Sequence, residues 1–193
     1  EKSFTSSLKK SMEIMNLSRK LSLSVAEGHM YLYHPQYRYI KTKIFNKEIG
    51  DLISINCKFG LPPLQEPGFR LNKDLGASCI LDVGCYPISL ILDLFKHKKI
   101  EIINSNLNYN DKNIDQGGFV LLKIDNTVTA FLEWFYNKSY RNDIDIWGSK
   151  SSMKTYKIFS KKNNFEPSIF THDSFGNVTI DRIKACDHFE LIF

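Results

Sequence analysis

The chain has 193 residues, a length that predicts one domain, or one domain and a piece of another. Its 42% hydrophobic residues, including 14 Phe and 9 Tyr, exclude disorder as the dominant state, because such a chain can bury a core. The 26 basic and 21 acidic residues give a net charge of +5, but the basic residues are spread along the chain, which argues against a nucleic-acid partner.

Nothing in the pattern indicates a membrane or a secreted protein. The most apolar stretch, residues 88–95, is interrupted by Ser89 and Asp93 and is shorter than the roughly 18 residues of a membrane helix. The spacing of the four cysteines fits no zinc pattern, and no leader precedes a cleavage site. We therefore expect a cytoplasmic protein with reduced cysteines, no metal site and no membrane partner.

The first elements predicted along the chain are two helices and a strand. Apolar residues three and four apart predict a helix over residues 5–20, capped by one of residues 5–7. Apolar residues that alternate with serines predict a strand over 21–25, so the chain begins like the tail of an α/β unit. After an irregular segment, Pro35 is typical of the first turn of a second helix.

The next segments predict a strand, a long loop and a bent helix. Residues 53–59 alternate clearly and predict a half-buried strand. The loop over 61–72 is long for a compact domain, and such loops are often functional. Residues 75–95 predict a helix that is interrupted near Gly84 and Pro87, since proline has no amide hydrogen to donate.

The remainder of the chain predicts a sheet. Asp125-Asn126 indicates a hairpin turn, and residues 183–193 indicate the beginning of a last helix. Five strands are predicted, near 100–109, 117–124, 127–137, 140–147 and 151–158. The fold class is therefore α+β, with an open, mostly antiparallel sheet and helices on one face. The other face needs a cover, and we hypothesise that a homo-oligomer forms through the sheet.

The strongest local feature is the pair Asp82 and Tyr86, which lie four residues apart and so share a helix face beside the expected bend. Two interpretations remain open. The pair belongs to a functional site, or the tyrosine is a core residue bonded to the aspartate, which the residue types alone favour. The sequence contains no glycine-rich phosphate loop and no nucleophile elbow. His29 and His34, five apart in a loop, only weakly indicate metal binding.

Several short motifs resemble, in their order, one known family of oxidoreductases. They are Glu1-Lys2, the segments 28–36 and 48–51, Gly68-Phe-Arg70, the segment 75–88, Asp115 and Trp147-Gly-Ser149. This order is similar to that of the family of glucose-fructose oxidoreductase, inositol dehydrogenase and dimeric dihydrodiol dehydrogenase. The resemblance covers residues 1 to about 150, with a weaker echo at 187–189.

The resemblance implies a two-domain enzyme of which this chain is a fragment. Residues 1–26 would be the C-terminal end of a Rossmann domain that binds NAD or NADP, and residues 27–193 a substrate-binding and oligomerisation domain with an incomplete last helix. The implied activity is hydride transfer between the nicotinamide and a sugar, sugar derivative or related polyol, with the fragment alone inactive. The alternative is a non-catalytic ligand-binding or dimerisation module of the same family.

The resemblance also implies roles for individual residues. Tyr86 would be the acid or base, with Lys2 and Asp82 as further catalytic residues. A tyrosine titrates near 10, and an ammonium beside it would lower that pKa. The cofactor would contact Glu1, Lys2 and Arg70, whereas the substrate would contact Arg70, Tyr86 and His34.

The chain departs from the family pattern at Ser3, Leu32, Ala77 and Ser78. Ser3 replaces a proline, Leu32 an arginine, and the other two positions replace glycines. The choice of substrate is therefore left open by the sequence.

Overall fold

The computed structural model describes residues 2–66 and 68–192, which form an eight-stranded sheet with helices packed against one face. The predicted α+β fold class is confirmed. The helices are α1 (Leu8–Leu21), α2 (Pro35–Phe45) and α3 (Cys85–Leu94). The strands are β1 (Leu52–Gly60), β2 (Ile100–Tyr109), β3 (Asp115–Ile124), β4 (Val128–Phe135), β5 (Arg141–Gly148), β6 (Ser151–Tyr156), β7 (Ser168–Asp173) and β8 (Val178–Arg182).

The sheet has the order β2-β3-β4-β1-β5-β6-β7-β8. Strands β1 and β4 pair in parallel, with Phe59 opposite Trp134, while the other neighbouring strands are antiparallel. A parallel pair requires a long crossover between its strands, and the crossover from β1 to β4 contains α3. The end of β4 therefore lies beside the end of β1 and close to α3.

Alternation along the strands separates a buried face from an open one. Ile55, Cys57 and Phe59 of β1 are buried, and α3 packs over them with Leu90 and Ile91. The opposite face exposes aromatic side chains of two neighbouring strands, Trp147 of β5 and Tyr156 of β6. The helices cover one face, as the sequence predicted.

The predicted first helix is confirmed, but the strand after it is wrong. Ser7 caps α1 and its hydroxyl accepts a hydrogen bond from the Lys10 amide. Ser22 ends the helix in the left-handed conformation, and residues 23–29 form no regular element. Leu23 and Val25 are exposed. A segment with alternating apolar residues forms a strand only when it pairs with another strand. In the described part of the chain, no strand lies beside residues 21–25.

The predicted helix over 75–95 begins later than expected. Gly76 adopts the left-handed conformation (φ 78°) and ends a short turn over Lys73–Leu75. The helix then starts at residue 79 with a π-helical turn, Ile80–Gly84, which leads into α3. The predicted interruption is real, and it takes the form of a widened turn because Pro87 cannot donate a helical hydrogen bond.

The five predicted strands after residue 100 are confirmed, and so is the hairpin turn, where Asp125 and Asn126 both have positive φ. Strands β7 and β8 were missed, since they have only six and five residues and carry two apolar side chains each. The predicted last helix is wrong, because within the described residues only a short turn, Glu190–Ile192, forms. The amide of Ile183 instead bonds to the carbonyl of Pro167 and continues the sheet edge.

The expectation that no apolar stretch has the length of a membrane helix is wrong for one segment. By length and composition alone, the 22 residues Lys73–Leu94 are long and apolar enough to cross a membrane. In the structure, half of the most apolar window is buried against the sheet. Core helices of globular proteins meet the same criterion, so this segment is a weak indication of a membrane.

Candidate functional site

Three of the predicted site residues meet at one carboxylate. Asp82 lies on the π-helical turn, and its side chain is 6% exposed. The ammonium of Lys2 donates to the Asp82 carboxylate and to its backbone carbonyl. Arg70 Nε donates to the other carboxylate oxygen at 2.6 Å. The fold thus brings together three residues that the resemblance placed in the site.

A third partner of this carboxylate is Tyr136, a site residue that the sequence did not indicate. Its hydroxyl donates to Asp82 Oδ2 at 2.8 Å, and its ring is buried just after β4. The pattern predicted residue 136 only as part of a strand, since a buried aromatic ring satisfies alternation whether or not its hydroxyl has a role.

The charges in this group follow from its contacts. Burial raises the pKa of the Asp82 carboxyl, but the hydrogen bond and charge of Lys2, the hydrogen bond of Tyr136 and the charge of Arg70 outweigh burial and hold that pKa below its ordinary value. Burial, and then the Asp82 charge, raise the pKa of the Tyr136 phenol. At neutral pH, Asp82 is therefore a fixed anion and Tyr136 a permanent donor.

The other predicted catalytic residue, Tyr86, lies on the far side of Lys2. The Lys2 ammonium is 5.0 Å from the centroid of the Tyr86 ring, within the range of a cation–π contact. The Tyr86 ring also packs edge-on against Phe59 (5.2 Å between centroids) and His29 (5.6 Å). Tyr86 is 6% exposed, and its hydroxyl lies 3.8 Å from the sulfur of Met30.

His29 and Glu27 form a second pair beside Tyr86. His29 Nε2 lies 3.3 Å from a carboxylate oxygen of Glu27, whose other oxygen accepts from the Phe4 amide. Burial lowers the pKa of His29, Glu27 opposes this effect, and the charge of Lys2 adds to it. The sequence indicated metal binding by His29 only weakly, and it gave no indication of Glu27.

The predicted substrate residue His34 does not contact this cluster. It is fully buried, and its Nδ1 accepts from the Gln36 amide at the start of α2. Its ring lies edge-on to His188 in the C-terminal segment (5.8 Å between centroids). Burial, then the charges of Lys161 and His188, lower the pKa of His34 to about 4. The predicted cofactor residue Glu1 lies outside the described residues.

Two cavities border the Lys2 segment. One, of about 240 Å³, is lined by Lys2 and Asp82 and by hydroxyl side chains that include Ser3 and Ser78. The other, of about 470 Å³, is lined in part by Glu27. In the described part of the chain, Tyr86 lines neither of these two cavities. The smaller cavity offers a fixed ammonium and several hydroxyls to a polar ligand.

Two further motif residues position the helix that carries the site. Asp115 Oδ2 accepts from the amide of Ile80 at 2.7 Å and so caps the helix start. Gly84 lies against the ring of Trp134, and a Cβ atom there would come within 2.8 Å of it. Among the described residues, no group of three His, Cys, Asp or Glu side chains is placed to bind a metal ion.

The fold and this site define a class of α+β domain, and comparison with known proteins identifies the family. A family model described as the GFO/IDH/MocA C-terminal domain matches residues 37–154, more than half of the chain. The chain belongs to the GFO/IDH/MocA family, which confirms the resemblance found in the sequence.

Similar proteins are oxidoreductases. One is a dTDP-3,4-didehydro-2,6-dideoxy-alpha-D-glucose 3-reductase from Actinomadura kijaniata, 27% identical over 88% of this chain and 51% of its own length. Another is a trans-1,2-dihydrobenzene-1,2-diol dehydrogenase from Xenopus laevis, 26% identical over 72% of this chain and 42% of its own length. The chain thus spans about half the length of these curated relatives.

A solved structure shares the fold. It is a 3-ketoreductase from Actinomadura kijaniata in complex with NADP and TDP-benzene, with a TM-score of 0.90 and 25% identity. The match covers 98% of this chain and 58% of that one.

Proposed function

We propose that the whole protein is an NADP-dependent oxidoreductase that transfers a hydride between the nicotinamide and a sugar, sugar derivative or related polyol. The similarity to a dTDP-sugar 3-reductase favours a nucleotide-linked keto sugar as the substrate. The observation that carries the proposal is the Lys2 ammonium, which is bound by the ionised Asp82 on one side and lies over the Tyr86 ring on the other.

The residues of this chain suit the proton half of such a reaction. When bound, a nicotinamide supplies or accepts the hydride. Tyr86 donates a proton to the carbonyl oxygen during reduction and takes it from the hydroxyl during oxidation. Lys2 stabilises the phenolate form of Tyr86, and Asp82 keeps the ammonium in place. General acid–base help of this kind contributes roughly 10²–10⁴ in rate.

The Lys2 cavity suits only one end of the cofactor. Lys2 and the hydroxyls of Ser3 and Ser6 are donors suited to a carboxamide, but about 240 Å³ is too little for a dinucleotide. We assign the remaining contacts to a nucleotide-binding domain of which residues 1–26 are the end. The exposed apolar side chains of α1, among them Leu8 and Met12, are suited to pack against such a domain.

The open face of the sheet supports the proposed homo-oligomer. Trp147 is 59% exposed there, and it lies on the same face as the exposed Tyr156. Exposed aromatic and apolar residues on one sheet face are typical of a surface that is covered in the assembled protein.

The alternative is a non-catalytic ligand-binding or dimerisation module of the same family. The burial of Tyr86 favours it, because an acid or base must reach its substrate.

Turnover by the whole protein separates these candidates. We expect NADPH oxidation with at least one member of a panel of keto sugars, including dTDP-linked sugars. Tyr86→Phe should lower kcat by about 10²–10⁴, the range for loss of an acid or base. The exposed Tyr109 provides the matched control, Tyr109→Phe, which should leave kcat unchanged.

Normal turnover by Tyr86→Phe would refute the role of that residue. Absence of turnover across the panel, in protein that still binds a sugar or dimerises, would establish the non-catalytic module.

A further inference from the structure

We infer that Tyr136 is a positioning residue, whose hydroxyl orients the Asp82 carboxylate and through it the ammonium of Lys2. The inference rests on the proposed function, in which Lys2 assists Tyr86. The contact that carries it is the hydrogen bond of 2.8 Å from the Tyr136 hydroxyl to Asp82 Oδ2.

The partners of Asp82 differ in how firmly they are held. Lys2 lies in an irregular segment and Arg70 in a short 3-10 helix, Gly68–Leu71, and their side chains are 19% and 26% exposed. Tyr136 directly follows β4, is 5% exposed, and donates its amide to the carbonyl of Gln116 on β3. Among the described side chains that bond to Asp82, Tyr136 is therefore the one fixed to the sheet.

The chemistry of the phenol suits this role. The Lys2 ammonium is a point charge on a flexible stem, and Arg70 donates a directional N–H bond from a more exposed side chain. The Tyr136 hydroxyl donates to the same oxygen as Arg70 from a ring held by the sheet, so it fixes the position of Asp82 Oδ2. The second contact of the Tyr136 hydroxyl, 3.4 Å from the carbonyl of Ser78, ties the same phenol to the start of the helix that carries Asp82.

Loss of the Tyr136 hydroxyl should affect Lys2 indirectly, through the Asp82 carboxylate. In Tyr136→Phe the ring remains and the carboxylate loses a donor, so the pKa of Asp82 should rise toward its ordinary value. As pH falls, the carboxylate then becomes protonated at a higher pH, and Lys2 loses its anionic partner earlier.

The test compares Tyr136→Phe with Tyr37→Phe in the whole protein. Tyr37 is an equally buried tyrosine whose hydroxyl donates to Asp93 at 2.6 Å, away from the site. We expect Tyr136→Phe to lower kcat roughly tenfold, the equivalent of one hydrogen bond to a charged group, with little change in the sugar KM. Its acid limb of kcat should move to higher pH. Tyr37→Phe should lower thermal stability but leave both kcat and the acid limb of its pH profile unchanged.

Two further measurements keep the outcome decisive. A ¹³C NMR titration of the Asp82 carboxyl reports the pKa without any turnover, and an unchanged pKa in Tyr136→Phe would overturn the inference. In an Asp82→Asn background, Tyr136→Phe should cost no further activity, because its effect passes through that carboxylate. A wild-type protein that binds NADPH but reduces no sugar would contradict the proposed function. The NMR titration would still test whether Tyr136 sets the pKa of Asp82.

Discussion

Two aspartates on the helix over residues 79–94 form groups of similar composition. Asp82, near the beginning, is bound by a lysine, a tyrosine and an arginine. Asp93, near the end, accepts from the Tyr37 hydroxyl and from the Lys41 ammonium, each at 2.6 Å, and its other oxygen lies 3.1 Å from the Lys96 ammonium. Both aspartates have lowered pKa values, because hydrogen bonds from a lysine and a tyrosine outweigh burial. Each group therefore consists of an aspartate, a tyrosine and two cations.

They differ in what surrounds the lysine. Lys41 lies near the surface, where its ammonium is 5.8 Å from the ring of Phe45 and 5.9 Å from the ring of Tyr37, the tyrosine that binds Asp93. Lys2 instead borders a polar cavity and faces a different tyrosine, Tyr86. A lysine between a carboxylate and a second titratable group can influence that group, whereas the Lys41 group only ties α2 to α3. These surroundings are the reason why we propose the Asp82 group, and not the Asp93 group, as the site.

The largest expected effect comes from removal of Lys2, with removal of Lys41 as the control. Lys2→Met should lower kcat by about a hundredfold or more in the whole protein, since Tyr86 loses its neighbouring charge. Lys41→Met should leave kcat unchanged. Steady-state kinetics with NADPH measure both, and equal losses in the two variants would remove the distinction between the groups.

A smaller effect is expected at Gly84, which lies between the two aspartates. Gly84→Ala should lower the free energy of unfolding by about 3 kcal/mol, because its Cβ would meet the Trp134 ring. Leu92→Ala on the same helix, at an exposed side chain, is the control and should change little. Denaturant unfolding measures both. An unchanged unfolding energy in Gly84→Ala would contradict the close approach of helix and sheet.

The smallest effect concerns Asp93 and pH. Because the pKa of Asp93 is lowered in the folded state, its contribution is present above the unfolded pKa and is lost as pH falls through the folded pKa. Asp93→Asn should cost about 1.5 kcal/mol at neutral pH, and the difference from wild type should shrink toward acid pH. Denaturant unfolding at several pH values measures this difference. A constant difference would show that the charge of Asp93 does not contribute.

Sequence patterns predicted those helices and turns whose formation depends on residues close together in the chain. Helices α1 and α2 and the hairpin at Asp125-Asn126 follow from capping, proline and turn preferences that act over a few residues. The segment over 21–25 has the alternation of a strand and remains irregular, because alternation does not supply a partner. Strands β7 and β8 are the opposite case. Their short sequences give a weak strand signal, but pairing at the sheet edge stabilises them as strands.

The site was predictable only in part. The spacing of Asp82 and Tyr86 drew attention to the helix, but Lys2 and Arg70 entered through the family resemblance alone. Tyr136 was missed because its bond to Asp82 spans 54 residues of sequence. Glu27 was missed because its contacts with His29 and with the Phe4 amide follow no motif in the sequence. His34 was placed in the site by resemblance, whereas its contacts are with the start of α2 and with His188. Its role as a substrate residue remains a prediction.

The parallel pairing of β1 and β4 has a consequence for the order of folding events. The bonds of Asp82 span 80 residues to Lys2 and 54 residues to Tyr136, so neither forms before distant parts of the chain meet. Closing such long loops is entropically costly and slows folding. The hairpins of β5 to β8 are local and need no such closure. We therefore expect the bonds of Asp82 to form late, and the bond to Tyr136, which directly follows β4, to require that the crossover is in place.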